Sequence, residues 1–200
     1  AIELYSHVLA KKPKNADALV ARASAYLTVG DHAKSIADYE KAEKLAADNS
    51  GMLNNFAWVL ATSPDDKLRN GKRAVELATK ACELTEYKQA HILSTLAAAY
   101  AESGNFKEAV KWSKKAIELG KAGTNKEIQE ALAKELKSFE KGKPWREDLS
   151  EKAKKDEKPP KPEADKPKPK SAEKPQPTKT QTPKKTDPPK KAEKPKAEEK

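Results

Sequence analysis

Cysteine and histidine are the side chains in this sequence that could supply a nucleophile, a general base or metal ligands. Catalysis by a nucleophile needs a base within hydrogen-bond reach, and a metal site needs ligands at short, regular spacings. Cys82 and His91 fall on successive predicted helices that present different faces, while His7 and His32 fall in other helical units. The spacing therefore predicts no catalytic pair, no metal site and no cofactor.

Phosphate-binding and acid–base motifs are also missing from the sequence. Gly71-Lys72-Arg73 lacks the preceding glycines of a phosphate-binding loop. The acidic residues alternate with lysines along helices, which is typical of solvated surfaces. We therefore expect that the protein is not an enzyme.

Recognition of another protein is the chemistry for which the sequence offers better candidates. Trp58 lies one helical step outside the apolar stripe that contains Phe56 and Leu60, so the core does not require it. Tryptophan combines a large contact area with an N–H donor, and both are favoured at the centres of binding sites. The alternative is that Trp58 packs against the loop 62–70.

Two consecutive amides precede this tryptophan in the sequence. Asn54 and Asn55 each offer donors and an acceptor, which could hold the backbone of an extended peptide. The alternative is that they are ordinary surface residues, or that their side chains contact a neighbouring repeat.

The last fifty residues form a basic, low-complexity tail. Residues 151–200 hold 17 lysines, no arginine, 11 of the 14 prolines, and a net charge of +7 of the +10 of the whole chain. Without large apolar side chains this segment cannot offset its ordering entropy, so we predict disorder with polyproline II character. Its lysines could bind polyanions, either nucleic acid or a cell-envelope polymer, nonspecifically and in a salt-sensitive way. The alternative is a solvated spacer.

Pairs of short amphipathic helices must position the candidate side chains, and residues 90–119 show the pattern best. In this stretch Gly104 ends one helix and Asn105 caps the next, with Glu108 completing a capping box. Apolar positions recur at helical spacing on both helices: Leu93, Leu96, Ala97, Tyr100, Ala109, Val110, Ala116 and Leu119. A pair this short cannot bury its own apolar face, so it needs stacked neighbours.

The same pattern repeats at intervals of 34 residues, as between Tyr5 and Tyr39, with one insertion of five residues and one of a single residue. Further helices are predicted over 1–11, 16–29, 33–45, 71–84 and 125–141, and Leu45 belongs to the predicted apolar face of the third of these. A helix opened by Asn49 or Ser50 is predicted between the third and the fourth. The predicted side-chain caps are Asn15, Asp31, Asn70, Asn105 and Thr124.

The helix 125–141 is predicted to be a terminal cap that covers the last repeat and presents a charged face to water. Its apolar stripe is Ile128, Leu132, Leu136 and Phe139. Trp145 is expected to pack back on it. The expected organisation is thus a helical array over 1–145 and a tail over 146–200.

These helix pairs resemble the tetratricopeptide repeat (TPR). The first helices match the family pattern at Leu19, Ala23, Tyr26, Leu53, Phe56, Ala57, Leu60, Leu93, Leu96, Ala97 and Tyr100, and the second helices match it at Ala1, Tyr5, Val8, Pro13, Ser35, Tyr39, Ala42 and Ala47. The unit 53–85 departs from the pattern and is similar to a variant found in bacterial, planctomycete-like TPR proteins. The resemblance implies an all-α, TPR-type solenoid of about three and a half repeats plus a capping helix, followed by a disordered Lys/Pro-rich tail.

The resemblance also implies a function, because TPR arrays generally bind peptides or protein segments in a groove formed by their first helices. Carried over residue by residue, it places ten side chains toward that groove: Val20, Ser24, Asn54, Asn55, Trp58, Thr62, His91, Ser94, Thr95 and Glu102. A protein or peptide is therefore the expected partner. One TPR subclass clamps the C-terminal carboxylate of heat-shock chaperones, but only Asn55 matches its clamp, so we expect no such binding.

Localisation and context stay open at the level of sequence, with a cytoplasmic location favoured. No apolar run approaches transmembrane length, and the single cysteine excludes an intrachain disulfide. The chain begins at Ala1 in mid-helix, so we interpret it as a fragment that a signal peptide or further domains could precede. The alternatives to an interaction scaffold are polyanion binding by the tail and a structural role as the end of a larger protein.

Overall fold

The computed structural model describes residues 1–121 and 126–147. In these ranges the chain is all helical and forms α1 (Ile2–Lys11), α2 (Ala16–Thr28), α3 (His32–Glu43), α4 (Ser50–Thr62), α5 (Gly71–Leu84), α6 (Ala90–Glu102), α7 (Phe106–Gly120) and α8 (Lys126–Glu140). This confirms the predicted solenoid of three and a half helix pairs with a terminal helix. The predicted cap Thr124 and nearly all of the predicted tail lie outside the described residues.

Five helices, α2, α3, α4, α5 and α7, have a side-chain cap at their N-terminus, at the positions that the sequence predicts. Each cap accepts a hydrogen bond from the backbone N–H three residues further on, and the capping residues are Asn15, Asp31, Asn49, Asn70 and Asn105. Of the two candidates for α4, the structure therefore uses Asn49 rather than Ser50.

The capping box predicted at Asn105 is only half formed. The N–H of Asn105 donates to the carbonyl of Tyr100 at 2.9 Å, closing the turn in which Gly104 has a φ of +84°. Because this N–H already has an acceptor, the Glu108 carboxylate accepts instead from Trp112 Nε1 at 3.1 Å and from Lys111 Nζ at 2.8 Å.

Small residues at repeated positions form the centre of the stack. Ala23, Ala57 and Ala97, one from each of α2, α4 and α6, are completely buried. Alanines of the second helices, Ala42, Ala81 and Ala116, are buried to the same extent. Small side chains at these positions let the helices approach closely, so that neighbouring pairs cover each other's apolar stripes.

Three apolar residues predicted to face the core are exposed instead. Leu45 is 46% exposed because α3 ends at Glu43, so Leu45 lies beyond the helical stripe. Leu119 and Ile128 are 40% and 47% exposed, and both line the groove described below.

The α4–α5 connection contains the five-residue insertion and a single turn of 3₁₀ helix, Asp66–Leu68. Arg69 Nη1 donates to the carbonyl of Ser63 at 2.8 Å, and the N–H of Asn70 donates to the carbonyl of Leu60 at 2.9 Å. Leu68 is half-buried, as expected for a loop that folds back on the helices.

After α8 the chain turns at Gly142 and docks on the ends of α4 and α6. The N–H of Glu147 donates to the carbonyl of Thr62 at 2.9 Å, and Arg146 Nη2 lies 2.7 Å from Glu102 Oε2. Trp145 packs against the core. Arg146 and Glu147 thus pack against the helical array.

Gly71, the first residue of α5, lies in close contact with the backbone at the end of α6. A Cβ atom at this position would lie 2.6 Å from the backbone nitrogen of Ser103 and 2.7 Å from the carbonyl carbon of Glu102. Backbone atoms cannot give way without separating the helices, so we expect Gly71→Ala to lower the free energy of unfolding by about 2–3 kcal/mol, measured by urea denaturation.

Gly51→Ala is the matched control, since it changes the same residue type in the first turn of α4. A Cβ at Gly51 would meet only Asn49 Oδ1, at 3.5 Å. Because alanine favours helix, this variant should gain about 0.5–1 kcal/mol. Equal effects of the two substitutions would contradict the tight α5–α6 contact.

Candidate functional site

A groove of about 720 Å³ opens between α4, the start of α6, the end of α7 and α8. Its described lining is largely apolar, with a few amide, hydroxyl and charged groups. The lining residues are Asn54, Asn55, Trp58, Lys88, Gln89, Ala90, His91, Ser94, Thr95, Leu119, Gly120, Ile128, Ala131, Leu132 and Glu135.

Six of the ten candidate residues from the sequence meet in this groove. They are Asn54, Asn55 and Trp58 on α4, and His91, Ser94 and Thr95 on α6. Parallel first helices of successive repeats place equivalent positions side by side, which is why residues far apart in sequence come together here. Their role in binding stays a prediction.

The other four candidates lie elsewhere. Val20 and Ser24 are on α2, outside this groove, and the Ser24 hydroxyl lies 3.0 Å from Tyr39 Oη. Thr62 is completely buried and its hydroxyl donates to the carbonyl of Trp58 at 2.8 Å. The C-terminal segment covers this end of α4, so Thr62 is not part of a groove surface.

Glu102 also serves the packing of the chain rather than the groove. Its Oε1 accepts from Arg69 Nε at 3.0 Å, and its Oε2 pairs with Arg146 Nη2. These two arginines come from the α4–α5 loop and from the C-terminal segment, so Glu102 connects both segments to the end of α6.

Trp58 lies at the edge between core and groove. Its side chain is partly buried, packs against the apolar core and also lines the groove. A tryptophan in this position leaves part of its ring available to a bound molecule.

Asn54 places a buried acceptor beside the groove. The residue is only 8% exposed, and its Nδ2 donates to Asn55 Oδ1 at 3.2 Å. Its own Oδ1 is buried and receives no hydrogen bond within the described residues. A buried acceptor without a donor is costly, so a donor from a bound molecule would stabilise it.

Glu135 is a titratable groove residue that the sequence did not single out. The prediction put it on the charged, solvated face of α8, but it is 6% exposed and accepts from Ser94 Oγ at 2.5 Å. Burial raises the pKa of this carboxyl to about 7, and the hydrogen bond from Ser94 offsets part of that rise. The available signal was spacing, because Glu135 follows Leu132 by three residues and precedes Phe139 by four.

The other titratable groups of the groove, Lys88 and His91, lie at its rim. Lys88 pairs with the carboxylate of Glu86 and its side chain is 72% exposed. His91 is exposed at the first turn of α6. Glu135 is therefore the carboxylate of the groove within the described lining, and it is more deeply buried than Lys88 or His91.

A second polar cluster holds the C-terminal segment. His32 Nδ1 lies 3.0 Å from Ser63 Oγ, and His32 Nε2 lies 3.4 Å from Glu147 Oε2. These three side chains follow the order of a catalytic triad, in which an imidazole lies between a hydroxyl and a carboxylate. Ser63, however, is completely buried. No substrate could reach its hydroxyl, so we interpret the cluster as an anchor for Glu147.

Residues 1–121 and 126–147 contain neither a metal-binding cluster nor a membrane-spanning helix. In that part of the chain no group of three or more His, Cys, Asp or Glu side chains could hold a metal ion. No helix there is both long and apolar enough to cross a membrane.

The stacked helix pairs and their repeating alanines define a helical-repeat protein. A family model described as tetratricopeptide repeat matches residues 16–49 and 90–120. These segments cover α2–α3 and α6–α7, so two of the helix pairs match the TPR model, and the helical array has the architecture of a TPR-type solenoid.

Solved TPR structures share this fold. The Sgt2 TPR domain from Aspergillus fumigatus is 23% identical and has a TM-score of 0.51, with 75% of this chain and 88% of that chain covered. The first TPR of Spaghetti (RPAP3), bound to the HSP90 peptide SRMEEVD, is 21% identical with a TM-score of 0.50, covering 63% of this chain and 90% of that one. MamA protein is 19% identical with a TM-score of 0.52, covering 81% and 87%. At these identities the likeness shows the fold alone, and no curated protein matches the sequence.

Burial of Glu135 predicts that stability falls as pH rises. The carboxyl has a pKa of 4.5 when unperturbed and about 7 in the folded chain, so the folded state holds its proton more tightly. The resulting stability is fully present below about pH 4.5 and is lost as pH rises through about 7. From pH 5 to pH 8, wild type should lose about 2–3 kcal/mol relative to Glu135→Gln, measured by urea unfolding.

Glu130→Gln is the control for this experiment, because Glu130 lies on the same helix and is exposed. Its stability difference from wild type should stay nearly constant between the two pH values. A Glu135→Gln variant that behaves in the same way would show that the carboxyl titrates normally.

Glu102→Ala should lower the free energy of unfolding by about 2–3 kcal/mol, since it leaves two partly buried guanidinium groups unpaired. Thermal and urea unfolding would measure this loss. Glu118→Ala, at an exposed position of α7, should change stability by less than about 0.5 kcal/mol. Because Glu102 lies outside the groove, its replacement should leave peptide affinity unchanged, and a selective loss of binding would contradict this assignment.

Proposed function

We propose that this chain is a non-catalytic interaction scaffold that binds a peptide or protein segment in the groove between α4, α6, α7 and α8. The observation that carries the proposal is that Trp58 and Asn54 line the same groove. The buried Oδ1 of Asn54 has no hydrogen-bond donor within the described residues. An apolar cleft with a few convergent polar groups is the usual form of a binding site.

The apolar part of the groove supports this function. Leu119 and Ile128 are 40% and 47% exposed, and with Trp58 they leave apolar surface open to solvent in a concave site. Covering such surface removes it from water, which is favourable by about 25 cal/mol per Å² before the costs of association. A partner that inserts apolar side chains would therefore gain affinity here.

The amide groups supply the polar part. A peptide backbone N–H could donate to Asn54 Oδ1, and Asn55 offers further hydrogen-bonding groups beside it. Such contacts would fix the register of a bound segment, while the apolar surface contributes most of the affinity.

The nature of the segment differs from that seen in one structural neighbour. The first TPR of Spaghetti (RPAP3) is bound to the acidic HSP90 peptide SRMEEVD. Here the positions of the chaperone clamp hold Val20, Ser24, Asn55, His91 and Thr95, which include no lysine or arginine. We therefore propose a ligand other than an acidic chaperone terminus.

The irregular unit formed by α4 and α5 supports a further proposal about origin. Its inserted loop and the small Ala78 depart from the regular repeat, as in the bacterial, planctomycete-like variants that the sequence resembles. This unit also supplies Trp58, Asn54 and Asn55 to the groove. The proposed binding site thus includes residues of the variant unit.

Trp58→Ala should weaken peptide binding by about tenfold or more, because it removes the indole ring from the lining of the groove. The ligands would be synthetic peptides chosen from a randomised displayed library by selection on the full chain. Affinity would be measured by fluorescence anisotropy, and circular dichroism would check that helicity is unchanged.

Trp112→Ala is the matched control. Trp112 lies on α7, stacks on Tyr87 with ring centroids 5.4 Å apart, and does not line the groove. It should leave peptide affinity within about twofold of wild type. The proposal fails if no selected peptide depends on Trp58, or if both tryptophans matter equally.

A further inference from the structure

We infer that the groove selects a segment in which a lysine or arginine is flanked by apolar residues, with the cation held by the Glu135 carboxylate and a donor received by Asn54 Oδ1. This inference rests on the proposed function, since it names the chemistry of the segment bound in the same groove.

Glu135 has unused capacity to accept hydrogen bonds. The described chain gives this carboxylate one donor, the hydroxyl of Ser94 at 2.5 Å. An ionised carboxylate has about four acceptor sites, so it can also take the donors of an ammonium or guanidinium group.

Burial makes a cation at this position favourable. Glu135 is only 6% exposed, and within the described residues its surroundings supply a hydroxyl donor but no positive charge. A carboxylate removed from water is costly unless it is paired. The chain itself therefore leaves this charge to be neutralised by a proton or by a bound cation.

The other charged or titratable groups that face the groove do not meet this need. Lys88 on the α5–α6 connection pairs with Glu86, and His91 of α6 is exposed at the rim. From α4 the groove receives the neutral side chains of Asn54, Asn55 and Trp58. No described charge thus competes with an incoming cation for Glu135.

The walls around Glu135 suit the stem of a long basic side chain. Leu119, Ile128 and Ala131 line the groove beside it. The methylene groups of lysine or arginine pack well along such surface while the charged end reaches the carboxylate. Apolar residues next to the basic one would cover the remaining exposed parts of Leu119 and Ile128.

The lysine-rich end of this chain matches only half of these requirements. Residues 151–200 provide 17 lysines, but alanine and proline are their only apolar residues. Such a segment could bring a cation and could not cover Trp58, Leu119 and Ile128. The preferred occupant is therefore a separate protein segment.

The test uses the full chain and peptides selected on it from a randomised displayed library. Selected peptides should be enriched in lysine or arginine next to apolar residues. Replacing that basic residue by norleucine, which keeps the stem and removes the charge, should weaken binding to wild type by about tenfold or more. On Glu135→Gln the same replacement should change affinity by less than about threefold.

Proton release gives a second readout that a merely structural role of Glu135 would not produce. Because burial holds the pKa of this carboxyl at about 7, part of the population is protonated at neutral pH and must lose its proton when a cation binds. Calorimetry in phosphate and in Tris should therefore show proton release for wild type and none for Glu135→Gln. His91→Gln should retain the release, which excludes the histidine as its source.

The possible failures can be told apart. Selected peptides without a basic preference, or a norleucine effect that is equal on wild type and Glu135→Gln, would overturn this inference while dependence on Trp58 still supports the proposed function. Displacement of the selected peptides by a synthetic peptide of residues 151–200 would identify the chain's own end as the occupant and also overturn it. Absence of any peptide that depends on Trp58 would overturn both.

Discussion

The constraint on which this structure depends is that a short amphipathic helix pair cannot bury its own apolar face. Each pair must be covered by the next, and the fully buried alanines Ala23, Ala57 and Ala97 let successive first helices come close enough to do so. Such an array has no natural end, because every added pair brings a new face to cover. The terminal helix α8 solves this problem by packing against α7, and its Leu132 and Phe139 are buried.

The way in which α8 ends the array also creates the groove. The helix takes the place of a first helix in a further repeat, so its inner face meets α6 and borders the cleft beside α4. Packing this face against the array buries Glu135 together with the leucines and places it against Ser94. The same step that protects the core thus leaves an acidic group in a poorly solvated position, which lowers stability near neutral pH and favours cationic ligands.

The sequence was sufficient to predict the helices, their caps and the repeat, because these depend on local spacing and on capping residues such as Asn70 and Asn105. It was not sufficient for contacts between single residues far apart in the chain. The docking of Arg146 on Glu102, which removes Glu102 from the groove, has no local signal. Glu135 was missed for a different reason: stripes through Glu135 and through Leu136 fit helical spacing almost equally well, and the leucine was the more apolar choice.

Two buried polar groups of the groove, Asn54 and Glu135, distinguish this array from a regular TPR solenoid. Regular positions satisfy one another: each alanine meets a neighbouring helix, and each capping side chain meets a backbone N–H. Asn54 and Glu135 differ, since one has an acceptor without a donor and the other has a buried charge without a cation in the described chain. Buried polar groups of this kind cost stability, and the fold alone gives no reason to keep them. A ligand that donates a hydrogen bond to Asn54 and brings a positive charge to Glu135 would give a reason to keep both groups. The specificity of the groove would then depend on these two side chains, which the regular repeat does not require.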